Sequence, residues 1–197
     1  MGAERIIEVG AGTGHLSKAL RNQGFAVTAV EPSQGMYKVA CEVLSGENVR
    51  LLNCSLAEME PAQSFDLAVS HLVAQTVDDL SSFFVSMQAH LRQGGYLMFS
   101  IPHPCFYNSY KRFFGDEYNY MKPMSKEVSF SITKDPENVI CGVPYHHRPL
   151  ADYINTAVAS GLVLVRFHEV YPPTEVQEEY GEAWEAPRYC VFVCKKL

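Results

Sequence analysis

The chain has 197 residues with 16 basic and 22 acidic side chains, a formal net charge of −6, and 47% of its residues are hydrophobic. That composition belongs to a globular protein, and at this length about 70% of the unfolded surface can be buried, enough for one core and one domain over residues 1–197. No basic block offers phosphate contacts to nucleic acid, no apolar run approaches the roughly 18 residues of a membrane span, and the amino terminus has no secretory pattern. Cys41, Cys54, Cys105, Cys141, Cys190 and Cys194 form no CxxC pair and no zinc-like spacing. No metal is expected; Cys190 and Cys194 read as small hydrophobes in a strand, and a reducing cytoplasm is the expected location.

In chain order, Ile6 to Val9 reads as a first strand, followed by a helix with Leu16, Ala19 and Leu20 on one face, stopped by Gly24. Ala26 to Val30 is a second strand, and Met36, Val39, Ala40, Val43 and Leu44 have helical spacing. Val49 to Leu52 and Phe65 to Ser70 are further strands. Leu80, Phe83, Phe84, Met87 and Leu91 form a helix stopped by Gly94-Gly95, and Tyr96 to Ile101 is the fifth strand. Alternation of this kind predicts an α/β fold with a doubly wound, mainly parallel sheet. Residues 103–148 break the rhythm, are rich in aromatics from Phe106 to Tyr120, and contain one alternating strand at Val128, Phe130 and Ile132. They read as a cap insertion. Pro149 then opens a helix bearing Leu150, Tyr153, Ile154, Ala157 and Val158, and Leu162 to Phe167 and Tyr189 to Cys194 form an antiparallel pair at the sheet edge. The predicted sheet has seven strands with an antiparallel C-terminal edge strand.

The stretch Glu8-Val-Gly-Ala-Gly-Thr-Gly-His15 lies directly between a strand and a helix. Glycines there allow a sharp turn and close approach of a ligand, and the helix start offers unpaired N–H groups. Glu31 ends the second strand, where an acid can accept both ribose hydroxyls. The glycines follow G-x-G-x-G, not the dinucleotide G-x-G-x-x-G, and Glu8 suits a ligand bearing an ammonium group better than a pyrophosphate. These features count against a nicotinamide-dependent oxidoreductase.

With these residues the sequence resembles the class I S-adenosylmethionine-dependent methyltransferases, which have a Rossmann-like sheet. Their first motif has an acid before glycine-x-glycine-x-glycine, and an acid closes their second strand. The segment Glu31 to Ala40 is similar to the family's acid-x-Ser-x-x-Met run. Asn53 to Glu60, Ser64 to Asp79, and Leu91 to Pro104 are similar to later segments, and Tyr145 to Pro173 resembles small-molecule members of the ubiquinone-biosynthesis-like group. The resemblance implies S-adenosyl-L-methionine as cofactor. It implies a cofactor set of Glu8, Gly10, Ala11, Gly12, Gly14, Glu31, Pro32, Met36, Ser55, Leu56, Ser70 and His71, with Glu31 on the ribose and Pro32 and Met36 near the adenosine. Cys54-Ser55-Leu56 stands where members often carry Gly-Asp-Ala, leaving an adenine contact to the Ser55 hydroxyl or to backbone groups. Members usually have a helical segment before the first strand; here that strand begins almost at Met1, so the expectation is a more open site, or one whose cover comes from a partner, a second copy (a homo-oligomer) or a different start codon.

In a doubly wound sheet the carboxyl ends of the strands share one edge, and the glycine loop, Glu31, Ser55 with Leu56, Ser70 with His71, and His103 each follow a different strand. The expected activity is methyl transfer to a small-molecule oxygen, nitrogen or carbon, with a partly apolar or aromatic acceptor and neither nucleic acid nor membrane as partner. His103, held between prolines, is the first candidate for a base and His146 the second. His103 also has a structural reading as a hydrogen-bonded histidine, and His146 shares its place before the last helix with Tyr145, His147 and Arg148. A regulatory protein that binds the cofactor without turnover is the alternative. The acidic run at 175–185 reads as a hydrated loop or edge helix, with Trp184 available for packing or recognition.

Overall fold

Successive apolar runs become β1 (Arg5–Val9), β2 (Ala26–Val30), β3 (Val49–Leu52), β4 (Phe65–His71) and β5 (Leu91–Pro102) in a computed structural model that describes residues 4–61, 64–106, 109–132, 135–179 and 186–197. Between them lie α1 (His15–Asn22), α2 (Gln34–Val43) and α3 (Leu80–His90). After β5 come α4 (Ser109–Phe114), β6 (Met124–Ile132), β7 (Asp135–His147), α5 (Leu150–Ala159), β8 (Leu162–Val170), α6 (Thr174–Glu179) and β9 (Tyr189–Lys196). The main sheet has seven strands in the order β3-β2-β1-β4-β5-β9-β8. β1 to β5 are parallel, and β9 is antiparallel to both β5 and β8. The last two strands therefore form the expected antiparallel pair, with β9 one place in and β8 outermost.

Strand alternation decides what faces what. Ile7 and Val9 enter the main core, while Glu8 between them points to the other face and meets Ser17 of α1. The core joins Phe84 and Met87 of α3, Leu97, Phe99 and Ile101 of β5, Tyr153 and Ala157 of α5, and Phe192 of β9. Phe99 is its centre, with ring centroids 5.0 Å from Phe84 and 4.5 Å, stacked, from Phe192. Cys190 and Cys194 are buried in the same core, and burial raises both thiol pKa values, that of Cys194 to about 11. α2 starts with Ser33, whose hydroxyl accepts from Met36 N, and α3 with Asp79, whose carboxylate accepts from Ser82 N.

Three sequence expectations are corrected. α3 ends at His90, and β5 begins at Leu91, five residues before Tyr96; Gly94, at φ 72°, turns the chain within this strand and not at a helix end. The cap insertion holds two strands, β6 and β7, paired antiparallel as a separate hairpin. β7 was illegible because Pro136, Gly142 and Pro144 disturb its alternation. Pro149 precedes α5 as its N-cap and does not sit in the first turn.

Under the hairpin lies a second cluster of buried Tyr110, Phe114, Val128 and Tyr145. Tyr110 and Tyr118 donate to Pro102 O and Pro104 O at 3.3 and 2.6 Å, fixing this aromatic cap to the end of β5. Tyr107, Trp184 and residues 180–185 lie outside the described residues, as do the side chains of Phe130 and Ile132. Among the described residues, no helix is long and apolar enough to cross a membrane.

Candidate functional site

The strand order reverses between β1 and β4, which leave the sheet side by side, and the loops that follow them meet there. Gly10, Gly12 and Gly14 take φ values of 74°, 55° and 82°, the left-handed region that glycine enters without penalty. Their surroundings differ. A Cβ on Gly10 would stand 2.4 Å from Val73 Cγ2, and one on Gly14 would stand 3.1 Å from Leu44, whereas one on Gly12 would meet nothing within 4 Å. The outer glycines serve packing, and the middle one leaves backbone open to a ligand. Gly10 N and Ala11 N donate to Val30 O at 2.9 and 3.0 Å, tying the loop to the end of β2.

Glu31 organises the next layer. The residue is 6% exposed, and its carboxylate accepts from Gly12 N at 2.7 Å through one oxygen and from Ser33 N at 2.8 Å through the other. An ionised carboxylate has about four acceptor positions, so each oxygen keeps one lone pair for a further donor. Asn53 Nδ2 donates to Glu31 O at 2.8 Å and holds the backbone beneath it.

Above these groups lies a cavity of about 800 Å³, at the upper end of the usual range for small-molecule sites. Gly10, Gly12, Glu31, Pro32, Met36, Ser55, Leu56 and His71 all line it. Glu8, Ala11, Gly14 and Ser70, also expected there, stand behind its wall. Ser70 is buried and donates to Val9 O at 3.1 Å, while Ala11 is buried. Glu8 accepts a hydrogen bond from Ser17 Oγ and is 2% exposed. Burial raises its pKa to about 7, against the pull of the Ser17 hydrogen bond. Glu8 is thus a loop anchor in this structure, where the sequence suggested a ligand contact.

The histidines separate in the same way. His71 lines the cavity and its Nδ1 lies 2.6 Å from Ser100 Oγ; burial lowers its pKa, so the ring is neutral at pH 7. His103 does not line it. Its ring is buried, with Nε2 3.0 Å from Glu169 Oε1 of β8 and Nδ1 accepting from Cys105 N at 3.2 Å in the turn after β5, so both nitrogens are engaged. His146 also stands off the cavity, with Nδ1 2.8 Å from Ser125 Oγ; burial first and Arg148 second lower its pKa.

The opposite wall carries no signal in the sequence. It comes from Leu72, Val73, Thr76 and Val77 after β4 and from Ile140 to Pro144 on β7. Leu72 has φ 57°, a strained value for a non-glycine residue of the kind that clusters at functional sites. Arg148 fixes the wall: Nη2 donates at 2.7 Å to both Val77 O and Asp78 O. These carbonyls follow a one-turn 3-10 helix at Ala74–Thr76.

Gly12→Ala tests the open middle of the loop. Adding a Cβ at positive φ costs about 1–2 kcal/mol of folding stability, and the methyl fills the space left for a ligand. The expected result is a folded protein with at least about tenfold weaker ligand binding by calorimetry.

Comparison with known proteins matches residues 7–99 to a family described as a methyltransferase domain. The chain is similar to a malonyl-[acyl-carrier protein] O-methyltransferase of Priestia megaterium, 30% identical over 97 residues, covering 48% of this chain and 35% of that protein. It is also similar to a ubiquinone biosynthesis O-methyltransferase of Paramagnetospirillum magneticum, 33% identical over 97 residues, covering 47% and 38%. The matched segment thus spans little more than a third of these curated relatives. Among solved structures, an S-adenosylmethionine dependent methyltransferase from Mesorhizobium loti superposes with a TM-score of 0.71 at 21% identity, covering 99% of this chain and 91% of that one.

Proposed function

We propose, on the match over residues 7–99 and on the fold, that this chain is a class I methyltransferase, which binds S-adenosyl-L-methionine against the glycine loop and transfers the methyl group to a partly apolar small molecule. The observation that carries the reading is one continuous cavity reaching from Gly10, Gly12 and Glu31 to Val143 and Pro144. One end has the donors and the acid that an adenosyl ligand needs. The other is walled by Leu72, Val73, Val77, Ile140, Val143 and Pro144, which favours an apolar or aromatic acceptor.

The residues fit the cofactor on their own chemistry. Gly12 exposes backbone with no side chain over it, and Glu31 keeps two acceptor positions for a vicinal diol. Met36, Pro32 and Leu56 supply apolar surface for a flat base. When bound, the sulfonium supplies an already activated methyl, so the protein's main contribution is alignment of the two reactants, worth up to about 7–11 kcal/mol in well-oriented cases. The Arg148 clamp on the 74–78 segment holds the acceptor wall still for that purpose.

An acceptor hydroxyl must also lose a proton. His71 is the histidine placed to take it. In the tautomer that donates Nδ1–H to Ser100 Oγ, its Nε2 lone pair is free, and the lowered pKa keeps that lone pair available. The test is release of S-adenosylhomocysteine from S-adenosylmethionine across a panel of phenolic, carboxylate and amine acceptors. Turnover with one class supports the reading, and S-adenosylmethionine binding without turnover on any class counts against it. With a hydroxyl acceptor, the wild-type rate should fall as pH drops through the lowered pKa of His71, below 6.5. His71→Gln should lose that acidic limb; a limb that persists in the variant would assign the base elsewhere.

A further inference from the structure

A second cavity, of about 370 Å³, lies away from the glycine loop, among the amino-terminal halves of β1, β2 and β3. Arg5 of β1, Arg21 of α1 and Arg50 of β3 line it, together with Asn48, with Val27, Thr28 and Phe65 also lining it. Three cations in one cavity run against the chain's net charge of −6. Their neighbours are matched: Lys18 pairs with Glu47 at 3.1 Å, and Arg92 with Asp66 at 2.5 Å. The Asp66 carboxylate also accepts from Glu4 N and Arg5 N at 3.0 and 2.9 Å, so it is already engaged. Among the described residues no carboxylate pairs with the Arg5, Arg21 or Arg50 guanidinium. Arg21 reaches only Phe25 O at 3.4 Å, and the Arg5 guanidinium rests 5.6 Å from the Phe65 ring centroid.

We propose that this cavity is a second ligand site, which takes a diphosphate group. Guanidinium groups present paired N–H donors that match phosphate oxygens, and like charges held together unpaired favour an anion between them. Three guanidinium charges balance the roughly threefold negative charge of a diphosphate near neutral pH. Asn48 adds a neutral amide donor and Thr28 a hydroxyl. The cavity shares no lining residue with the glycine-loop cavity, so neither ligand occupies the other's site.

The test is calorimetric titration of the whole chain with inorganic pyrophosphate at low ionic strength, repeated for Arg21→Gln and Arg50→Gln. Submillimolar binding is expected, weakened about tenfold in each variant, the effect of one charge-assisted hydrogen bond. Saturating S-adenosylhomocysteine should leave the wild-type titration unchanged. Tighter binding of ADP than of pyrophosphate would make a nucleotide the source of the diphosphate, and ADP binding no better would point to the free anion; both keep the site. No heat with pyrophosphate, equal affinity in the variants, or displacement by S-adenosylhomocysteine would overturn it. The last would mean that the anion sits on the glycine loop.

Discussion

Glu31→Ala binds S-adenosylhomocysteine at least about a hundredfold more weakly than the wild-type chain. The expectation rests on two hydrogen bonds from a ribose diol to a charged acceptor, each worth about 1.5–3 kcal/mol where the group is desolvated. Glu31 is buried and already oriented by Gly12 N and Ser33 N, so little is lost in fixing it when the ligand arrives. Removing it also leaves those two amides without an acceptor, which loosens the loop and adds to the effect. Glu31→Gln separates the contributions. Its amide oxygen can replace one acceptor, and the expected loss is about tenfold. Calorimetry on both variants checks the order, wild type tightest and alanine weakest. Equal affinities would place the ribose elsewhere.

Glu8→Gln stabilises the protein at alkaline pH and not at acid pH. The Glu8 carboxyl is raised from 4.5 to about 7 by burial. Below about pH 4.5 the group is protonated in both folded and unfolded chains and costs nothing. Between 4.5 and about 7 the unfolded chain ionises first, so the wild type loses stability as pH rises. Above about 7 the loss is complete, on the order of 3 kcal/mol at about 1.4 kcal/mol per pKa unit. Glutamine can still accept from Ser17 and carries no charge, so it escapes this penalty. Denaturant titrations at pH 4.5 and pH 8 should give nearly equal stabilities for the two proteins at the lower pH and a more stable variant at the higher. A constant difference would mean that folding does not raise the Glu8 pKa.

The sequence revealed backbone-driven features more readily than side-chain directions. The G-x-G-x-G spacing and the acid closing β2 are set by what a strand-to-helix turn and a ribose require locally, and Gly10, Gly12 and Glu31 line the cavity together. Position after a strand does not say which way a side chain turns. Glu8 directly precedes the loop and Ser70 stands near the end of β4, yet Glu8 meets Ser17 and Ser70 meets Val9 O. His103 follows β5 as expected, but the partner that captures its ring, Glu169, is 66 residues away and no local pattern announces it. The same is true of the acceptor wall. Ile140 to Pro144 form part of a strand whose glycine and prolines hide it, and Arg148 reaches back 70 residues to Asp78 O. Such contacts depend on how the hairpin docks, which is a tertiary property.

Titration of the purified chain with S-adenosylhomocysteine, with NADH as the control, tests the assignment of the glycine-loop cavity most directly. Micromolar binding of S-adenosylhomocysteine and no heat from NADH is the predicted result. Absence of S-adenosylhomocysteine binding, or preference for NADH, would contradict the assignment of this cavity to an adenosyl-sulfonium cofactor.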